Sequence, residues 1–336
     1  MTGPSSACRH ILGVDIGGTT ITLSVCREQP GDLPLLLESV AIKTRDAPDA
    51  DSIQRVLTEG SRALLARHDV RADACGISCG GPLDPARGLI LSPPNLPPWG
   101  TLEVVRIIEE SLEVPAQLLN DADAGALVEW RFGAGVGVRH VLFITHGSGF
   151  GAGIIANGAL YQGSGQAGEI GHVRLERSGP VGYGKSGSIE GFCSGGGIAQ
   201  LAQVAAVEQY QQGREVAYCD GAHRVHLIRA EDAARAAVDG DPVARDVFDR
   251  AGDYLGRALA LLVDLFAPQR IVLGAVYQRA QALIEPSMRR ALAREALASS
   301  LDACEIVPAR FTGELRHLAA YAAATYRDPF ADLQGH

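Results

Sequence analysis

The sequence lacks several features that would assign it to particular protein classes. It contains no CxxC pair, and its seven cysteines are scattered along the chain, so a disulfide framework is not indicated. It also has no block of basic residues, and its formal net charge is −9. Both observations argue against nucleic acid as a partner.

Long apolar segments are missing as well. The longest apolar run, residues 258–267, is interrupted by Asp264 and is far too short to cross a bilayer. Residues 1–10 lack the apolar core of a signal peptide. The sequence therefore predicts a cytoplasmic protein with no membrane partner.

The composition that is present is typical of a globular protein. Hydrophobic residues make up 46% of the chain and charged residues 21%. A length of 336 residues is long for one domain and sufficient for two. Cys75 and Cys79 lie in an apolar segment, where buried thiols are expected.

Two glycine-rich turns stand between apolar strands. In residues 11–25 an apolar segment reaches Asp15, passes through two glycines and two threonines, and continues as an alternating strand. Such a turn is either an ordinary hairpin turn or a set of N–H and hydroxyl groups suited to phosphate. Residues 140–156 repeat the pattern, with alternate glycines that mark the close approach of a ligand or another backbone.

This repetition predicts two related α/β halves facing a cleft. We place the boundary near residue 120 and expect the final helix, at about residues 314–326, to pack back on the N-terminal half. Six prolines between Pro82 and Gly100 predict an irregular loop or short ribbon.

Polar residues that could carry chemistry follow these elements. Asp121 begins a helix after a strand, so it is either an N-cap or a general base; both roles are compatible if Asn120 or Asp123 supplies the cap. Glu169 and His172 flank a glycine in a tight turn. Together with Glu190 they are either structural polar groups or acceptors for a polyhydroxy ligand.

The motifs together resemble the ROK family (repressor, open reading frame, kinase), and within it the bacterial glucokinase-like sugar kinases. The likeness covers nearly the whole chain, and the motifs follow the family's order. They are DIGGTT (15–20), GGPLDP (80–85), SPPNLPPW (92–99), NDADAGALVE (120–129), HGSGFGAGI (146–154), AGEIGH (167–172), IEGFCSG (189–195) and IVLG (271–274).

The resemblance implies an actin-like ATPase fold with two ribonuclease-H-like lobes around a sugar–ATP cleft. Residues 1–119 would form the N-terminal lobe and residues 120–313 the C-terminal lobe, with a helix at 314–330 returning to the first. It also implies a homodimer.

By motif position, the resemblance implies a role for each candidate residue. Asp121 would be the catalytic base. The residues implied to contact the phosphates, Mg²⁺ or the adenosine are Asp15, Gly17, Gly18, Thr19, Thr20, Gly147, Ser148, Gly149 and Gly274. The residues implied to contact the sugar are Gly81, Asn95, Asn120, Asp121, Glu169, His172 and Glu190.

The implied activity is ATP- and Mg²⁺-dependent phosphorylation of a glucose-type hexose at O6. Alternatives are another hexose, an N-acetylated hexose, a sugar-like cyclitol, or an inactive sugar-binding regulator. A repressor of the same family would carry a helix-turn-helix module before the kinase-like part. The phosphate hairpin begins only a dozen residues into this chain, so we do not expect a repressor.

The chain departs from the family pattern at the zinc-binding segment and at two single positions. Many members have cysteines after the EIGH histidine that bind structural zinc, whereas this chain has Val181, Tyr183 and Ser188 there, so we expect no zinc. His146 replaces a residue that is usually apolar, and Ala275 stands where a second glycine is common.

Overall fold

A computed structural model describes residues 9–29 and 31–329. Cys8, most of the segment considered for a signal peptide, and residue 330 of the expected final helix lie outside the described residues. The strands are β1 (His10–Ile16), β2 (Thr20–Arg27), β3 (Leu35–Lys43), β4 (Ala74–Cys79), β5 (Leu83–Asp84), β6 (Leu89–Leu91), β7 (Thr101–Leu102), β8 (Ala116–Asn120), β9 (Val141–Ile144), β10 (Ala152–Ala156), β11 (Ala159–Leu160), β12 (Val181–Gly182), β13 (Lys185–Ser186), β14 (Arg270–Leu273) and β15 (Glu305–Pro308).

Helices make up most of the remaining regular structure. A π-helical segment, Val56–Gly60, joins the first two helices, and short 3₁₀ segments occur at Thr44–Asp46, Ile170–His172 and Ala222–Leu227. The α-helices are α1 (Ala50–Arg55), α2 (Ser61–Arg67), α3 (Val104–Leu112), α4 (Asp121–Phe132), α5 (Ile189–Cys193), α6 (Gly195–Gln211), α7 (Ala230–Val238), α8 (Pro242–Phe266), α9 (Ala275–Glu295), α10 (Ala298–Asp302) and α11 (Leu315–Thr325).

The chain folds as two compact units. Among the described residues, unit 1 comprises residues 9–29, 31–137, 153–167 and 311–329, and unit 2 comprises residues 138–152 and 168–310. The chain therefore divides at other positions than the expected boundary near residue 120. Helix α4 belongs to unit 1 because it packs against α11 and β8, which are both in that unit.

A five-stranded sheet forms the centre of unit 1. Its order is β3-β2-β1-β4-β8, with β1 and β2 antiparallel and β1, β4 and β8 parallel. In the register of the parallel strands, Ile16 lies beside Cys79, and Cys79 lies beside Asn120. The chain therefore leaves all three strands at one edge of the sheet, which brings the segments after Asp15, Cys79 and Asn120 together.

Helix α11 covers one part of this sheet. It packs on β1 and β4, as well as on α4. The approach is so close that a Cβ atom on Gly76 of β4 would overlap the backbone carbonyl of Ala320 and lie 2.5 Å from the nitrogen of Ala324. Glycine in β4 is thus required by the packing of the helix backbone on the strand.

The proline-rich segment is ordered. It forms the small antiparallel sheet β5-β6-β7, in which Leu83 pairs with Ile90 and Ile90 pairs with Leu102. Trp99 is buried, and its indole N–H donates to the carbonyl oxygen of Ala47 at 2.7 Å. The expectation of an irregular loop or short ribbon is confirmed.

Unit 2 is built on three parallel strands and long helices. Strand β14 pairs with β9 on one side and with β15 on the other. Helices α8 and α9 pack extensively on each other and carry apolar residues such as Leu259 and Met288 into the core. The architecture is α/β, as expected from the sequence. No helix in the described part of the chain is long and apolar enough to cross a membrane.

Candidate functional site

The candidate residues are divided between the two units. Asp15, Gly17, Gly18, Thr19, Thr20, Gly81, Asn95, Asn120 and Asp121 lie in unit 1, whereas Gly147, Ser148, Gly149, Glu169, His172, Glu190 and Gly274 lie in unit 2.

The turn between β1 and β2 is tight and exposed at its tip. Gly17 N donates to Thr20 O at 3.0 Å, and the Thr44 hydroxyl donates to Gly17 O at 2.6 Å. Gly18 and Thr19 are exposed. The turn is fixed from the protein side and leaves the tip accessible, which is the arrangement that an anion-binding turn requires.

Asp15 lies on β1 just before this turn, and its carboxyl group is hard to ionise. Burial and the nearby charge of Asp121 raise the pKa of Asp15 to about 7, although the positive charge of Arg316 opposes the shift. Loss of hydration and a like charge both disfavour the carboxylate. A cation placed here would relieve that cost.

Asp121 is the first residue of α4, and Asn120 supplies the cap. The Asn120 side-chain oxygen accepts from Ala122 N at 2.8 Å. Asp121 is exposed to solvent, yet the protein around it raises the pKa of its carboxyl group by reducing hydration, against the opposing backbone N–H groups of Asp121 and Ala122. Asp121 is thus not needed as the cap, and it is accessible with a raised pKa.

Asn95 and Gly81 lie near these residues in unit 1. A Cβ atom on Gly18 would lie 2.8 Å from the Asn95 carbonyl oxygen and 3.2 Å from its side-chain nitrogen. Gly81 follows the end of β4, next to Gly80, whose Cβ position would be 3.8 Å from an Asp121 carboxylate oxygen. The structure therefore brings Asn95 to the first turn and the segment at Gly81 to Asp121.

The glycine turn of unit 2 is also closed by backbone hydrogen bonds. Gly147 N donates to Gly149 O at 3.0 Å, and Gly195 N, at the start of α6, donates to Gly147 O at 2.9 Å. Ser148 at the tip is exposed. This turn resembles the first one in having a fixed base and an accessible tip.

His146 anchors this turn from below. It is 1% exposed and has φ of 40°, and its Nε2 lies 2.9 Å from Cys193 O. Burial lowers the pKa of His146 to about 4, so the ring is neutral at pH 7 and Nε2 carries the hydrogen that it donates. Nδ1 has no hydrogen-bond partner among the described residues. An apolar residue could fill this space but could not tie the turn to the end of α5.

Glu169, His172 and Glu190 lie on short irregular elements of unit 2. Glu169 is the N-cap residue of the 3₁₀ turn Ile170–His172 and His172 is its last residue, with His172 Nε2 and a Glu169 carboxylate oxygen 3.7 Å apart. Glu190 is in the first turn of α5, and its carboxylate accepts from Phe150 N at 3.2 Å. A Cβ atom on Gly149 would lie 3.1 Å from the same Glu190 oxygen. Glu190 thus joins the glycine turn to α5.

The segment after His172 does not fit a zinc site. Val181, Tyr183 and Ser188 lie in or beside the β12–β13 hairpin and offer no thiolate. Cys193 is 1% exposed, and burial raises the pKa of its thiol. No group of three or more His, Cys, Asp or Glu residues suited to a metal ion occurs within residues 9–29 and 31–329.

Gly274 joins β14 to α9 in unit 2. Its N–H donates to Ile144 O at 3.0 Å, and it is the N-cap residue of α9. The next residue, Ala275, has φ of 32°, in the left-handed region that favours glycine. The second glycine that is common at this position would adopt the same backbone without strain.

Sequence reasoning missed some groups beside these residues. The positive charge of Arg316, on α11, lowers the pKa of Asp15, although the two residues are 301 positions apart in the sequence. Tyr183 and Lys185 contact His172 from the β12–β13 hairpin. Gly184 was the only turn signal for this hairpin, and the tyrosine before it is not a usual turn residue.

Known proteins match this chain over most of its length. The ROK family profile matches residues 11–321. Glucokinase of Halalkalibacterium halodurans is 32% identical over 285 residues, which cover 83% of this chain and 84% of the relative.

Solved structures of ROK family proteins also match most of this chain. A ROK family glucokinase from Streptomyces griseus, in complex with glucose and AMPPNP, matches with a TM-score of 0.75 and 30% identity over 94% of this chain and 99% of that one. A ROK family transcriptional regulator, a homologue of the E. coli Mlc protein, matches with a TM-score of 0.79 and 26% identity over 94% of this chain and 77% of that one. The fold is the actin-like ATPase fold of the ROK kinases, and the chain belongs to the ROK family.

Proposed function

We propose that this protein is an ATP-dependent kinase that phosphorylates a glucose-type hexose at O6. The observation that carries the proposal is the exposed Asp121 carboxylate, which has a raised pKa and lies beside the first glycine turn's Asp15. Its likeness to glucokinases supports sugar phosphorylation as the reaction class.

In this proposal Asp121 is the general base. Its carboxylate accepts the proton of the sugar O6 hydroxyl as that oxygen bonds to the γ-phosphorus of ATP, and the bond from this phosphorus to the bridging oxygen of ADP breaks. A carboxylate whose pKa is raised above its ordinary value is a stronger base than an ordinary one. Asn120 frees Asp121 for this role by capping α4.

The exposed tips of the two glycine turns would bind the phosphates. Gly18 and Thr19 offer N–H and hydroxyl groups in unit 1, and Ser148 offers them in unit 2. The raised pKa of Asp15 fits a nearby cation, and one or two carboxylates with substrate phosphates are the usual ligands of Mg²⁺. When bound, Mg²⁺ would neutralise phosphate charge near Asp15.

The polar residues implied to contact the sugar would recognise its hydroxyl groups. Glu169, His172 and Glu190 can each accept from or donate to one hydroxyl. Asn95 and Asn120 are proposed sugar contacts in unit 1. Gly274 would border the adenosine.

The test is an ADP-release assay over a panel of glucose, its epimers, N-acetylated hexoses and cyclitols. We expect ADP release that depends on the sugar and is fastest with a glucose-type hexose. Release that is equal with and without every sugar in the panel would contradict the kinase proposal.

A sugar-binding regulator is the second candidate. It is favoured by the match to a ROK transcriptional regulator over 94% of this chain. Calorimetry with the same sugar panel, read beside the ADP-release assay, distinguishes the two. A regulator would bind a sugar without releasing ADP, whereas the proposed kinase does both.

A further inference from the structure

The short hairpin β12–β13 is built around a strained turn. Gly182 pairs with Lys185, and the two residues between them, Tyr183 and Gly184, have φ of 45° and 73°. Positive φ at both central residues is typical of a type I′ hairpin turn, which usually takes Asn and Gly. A bulky tyrosine at the first of these positions is unusual and points to a role for its side chain.

The Tyr183 ring contacts the His172 ring. The ring centroids are 4.9 Å apart and the planes meet at 88°, an edge-to-face arrangement. Tyr183 remains 54% exposed, so burial of its own surface does not account for this placement. The contact limits the rotation of the imidazole ring.

Lys185 holds the backbone of the same residue. Its Nζ donates to His172 O at 2.8 Å. The carbonyl lies at the last residue of the 3₁₀ turn Ile170–His172, where it has no partner within the turn. Side chain and backbone of His172 are therefore both contacted by one hairpin.

The hairpin itself is fixed to the rest of unit 2. The Gln200 side chain accepts from Val181 N at 2.9 Å and donates to Val181 O at 2.8 Å. The Ser186 hydroxyl donates to Gly179 O at 2.9 Å, and Gly187 N donates to Pro180 O at 3.0 Å. Because the hairpin is fixed to unit 2, its contacts can hold His172 in one position.

The hairpin also packs on Glu190. A Cβ atom on Gly182 would lie 2.7 Å from the Glu190 Cβ and 2.6 Å from Gly191 N, so only glycine fits there. Glu190 is held at its other end by the Phe150 N–H. Two of the residues proposed to contact the sugar thus rest on the same hairpin.

We propose that the β12–β13 hairpin positions His172 for sugar binding without a metal ion, with Tyr183 as the positioning residue and Lys185 as its support. This inference rests on the proposed function for the role of His172, but the contacts that carry it exist in the ligand-free chain. The residues after His172 do not fit zinc, and the hairpin supplies the constraint through an aromatic contact and a charged hydrogen bond.

The test compares Tyr183→Ala with Tyr183→Phe, which keeps the ring. In ligand-free protein labelled at histidine, we expect Tyr183→Ala to shift the His172 imidazole resonances because the ring current of Tyr183 is lost. Tyr183→Phe should leave them near their wild-type positions. Tyr161→Ala removes a similarly exposed tyrosine of unit 1 and should leave them unchanged.

The same variants are assayed with the preferred sugar of the panel. We expect Tyr183→Ala to raise the KM for sugar about three- to ten-fold, the range that an edge-to-face contact is worth, with kcat and the KM for ATP within about two-fold. Lys185→Met should also raise the KM for sugar. Lys185→Arg, which keeps the positive charge, should leave this KM near the wild-type value. If Tyr183→Ala does not fold, Lys185→Met and Tyr183→Phe carry the comparison.

Two outcomes would overturn the inference. One is unchanged His172 resonances in both Tyr183→Ala and Lys185→Met. The other is about one zinc per chain by elemental analysis, together with a shift of the His172 resonances on chelation. Failure of the wild-type protein to bind any sugar would count against the proposed function, while the resonances would still report on the positioning of His172.

Discussion

The residues proposed for the chemical step and those proposed for sugar recognition in unit 2 differ in what holds them in place. Asp15 and Asp121 stand at the end of β1 and after β8, so the register of a five-stranded sheet fixes them. His172 and Glu190 stand on a one-turn 3₁₀ segment and a five-residue helix, and side-chain contacts fix them. Sheet register changes only in whole residues, whereas contacts between side chains change with a single substitution.

Backbone strain occurs near candidate residues of both units, and in unit 1 Ser92, with φ of 52°, lies three positions before Asn95. Three residues of unit 2 with positive φ, His146, Tyr183 and Ala275, each lie within a few positions of a candidate residue or contact one. Strained residues persist only where the surrounding contacts hold them. The set proposed for the chemical step is thus fixed by topology, and most of the set proposed for sugar recognition is fixed locally.

The largest expected effect is that of Asp121→Asn. Removing the proposed base should lower kcat by about 10²- to 10⁴-fold, with the KM values changed by only a few-fold, because the amide cannot accept the hydroxyl proton. Steady-state ADP release measures both quantities. Asp123→Asn, the same change two residues along α4, is the control and should keep kcat near wild type. Sugar-dependent turnover that survives Asp121→Asn would remove Asp121 from its proposed role.

Gly76→Ala tests whether topology holds unit 1. Because the added methyl group meets the backbone of α11, the free energy of unfolding should fall by about 3 kcal/mol, the upper end for an overpacked site. Denaturant titration measures the change. Gly313→Ala, where a Cβ meets nothing within 4 Å, should change it by less than about 0.5 kcal/mol. Equal effects of the two substitutions would mean that the close packing of α11 is not the reason why β4 has a glycine at position 76.

Asp15→Asn tests the pH dependence of stability in ligand-free protein. The folded-state pKa of Asp15, raised to about 7, lies above its ordinary value of 3.8, so the native state binds the proton more tightly between these values. The wild type should therefore lose stability as pH rises from about 4 to 7, and the variant should lose less.

Melting temperatures at pH 4.5 and pH 8 measure this difference. Asp49→Asn is the control, because hydrogen bonds to Ser52 lower the pKa of Asp49 and no gain at pH 8 is expected there. Parallel pH profiles for the wild type and Asp15→Asn would show that Asp15 does not titrate as inferred.

The smallest expected effect is that of Ala275→Gly. Relief of the left-handed backbone should stabilise the protein by up to about 1 kcal/mol. Ala282→Gly, at an exposed position inside α9, should destabilise it by about the same amount. Denaturant midpoints measure both, and destabilisation by both substitutions would show that Ala275 is not strained.

Much of the fold could be predicted because its signals are local. The apolar segment and the alternating strand around the first glycine turn predicted β1 and β2, and the helix expected at about residues 314–326 is α11. Asn120 was recognised as one of two alternatives for the cap of α4, and the structure identifies it as the cap. The prediction of an α/β architecture followed from these elements.

The remainder depends on contacts that are distant in sequence or very short. The unit boundary was not predicted, because α4 is held in unit 1 by α11, almost 200 residues later. Strands β12 and β13 have two residues each, too few for periodicity to be seen. The charge of Arg316 near Asp15 likewise has no local signal. The roles of the candidate residues remain predictions that the experiments above test.

The close packing of α11 on β1 and β4 has a consequence for the order of folding. Unit 2 is inserted in the chain between the first part of unit 1 and α11, so during synthesis the sheet is complete long before its covering helix emerges. Gly76 and its neighbours then face solvent or a temporary partner for as long as the ribosome takes to add roughly 200 residues, about 10 to 40 seconds. We therefore expect nascent chains that end before residue 315 to expose an apolar sheet face and to be bound by chaperones.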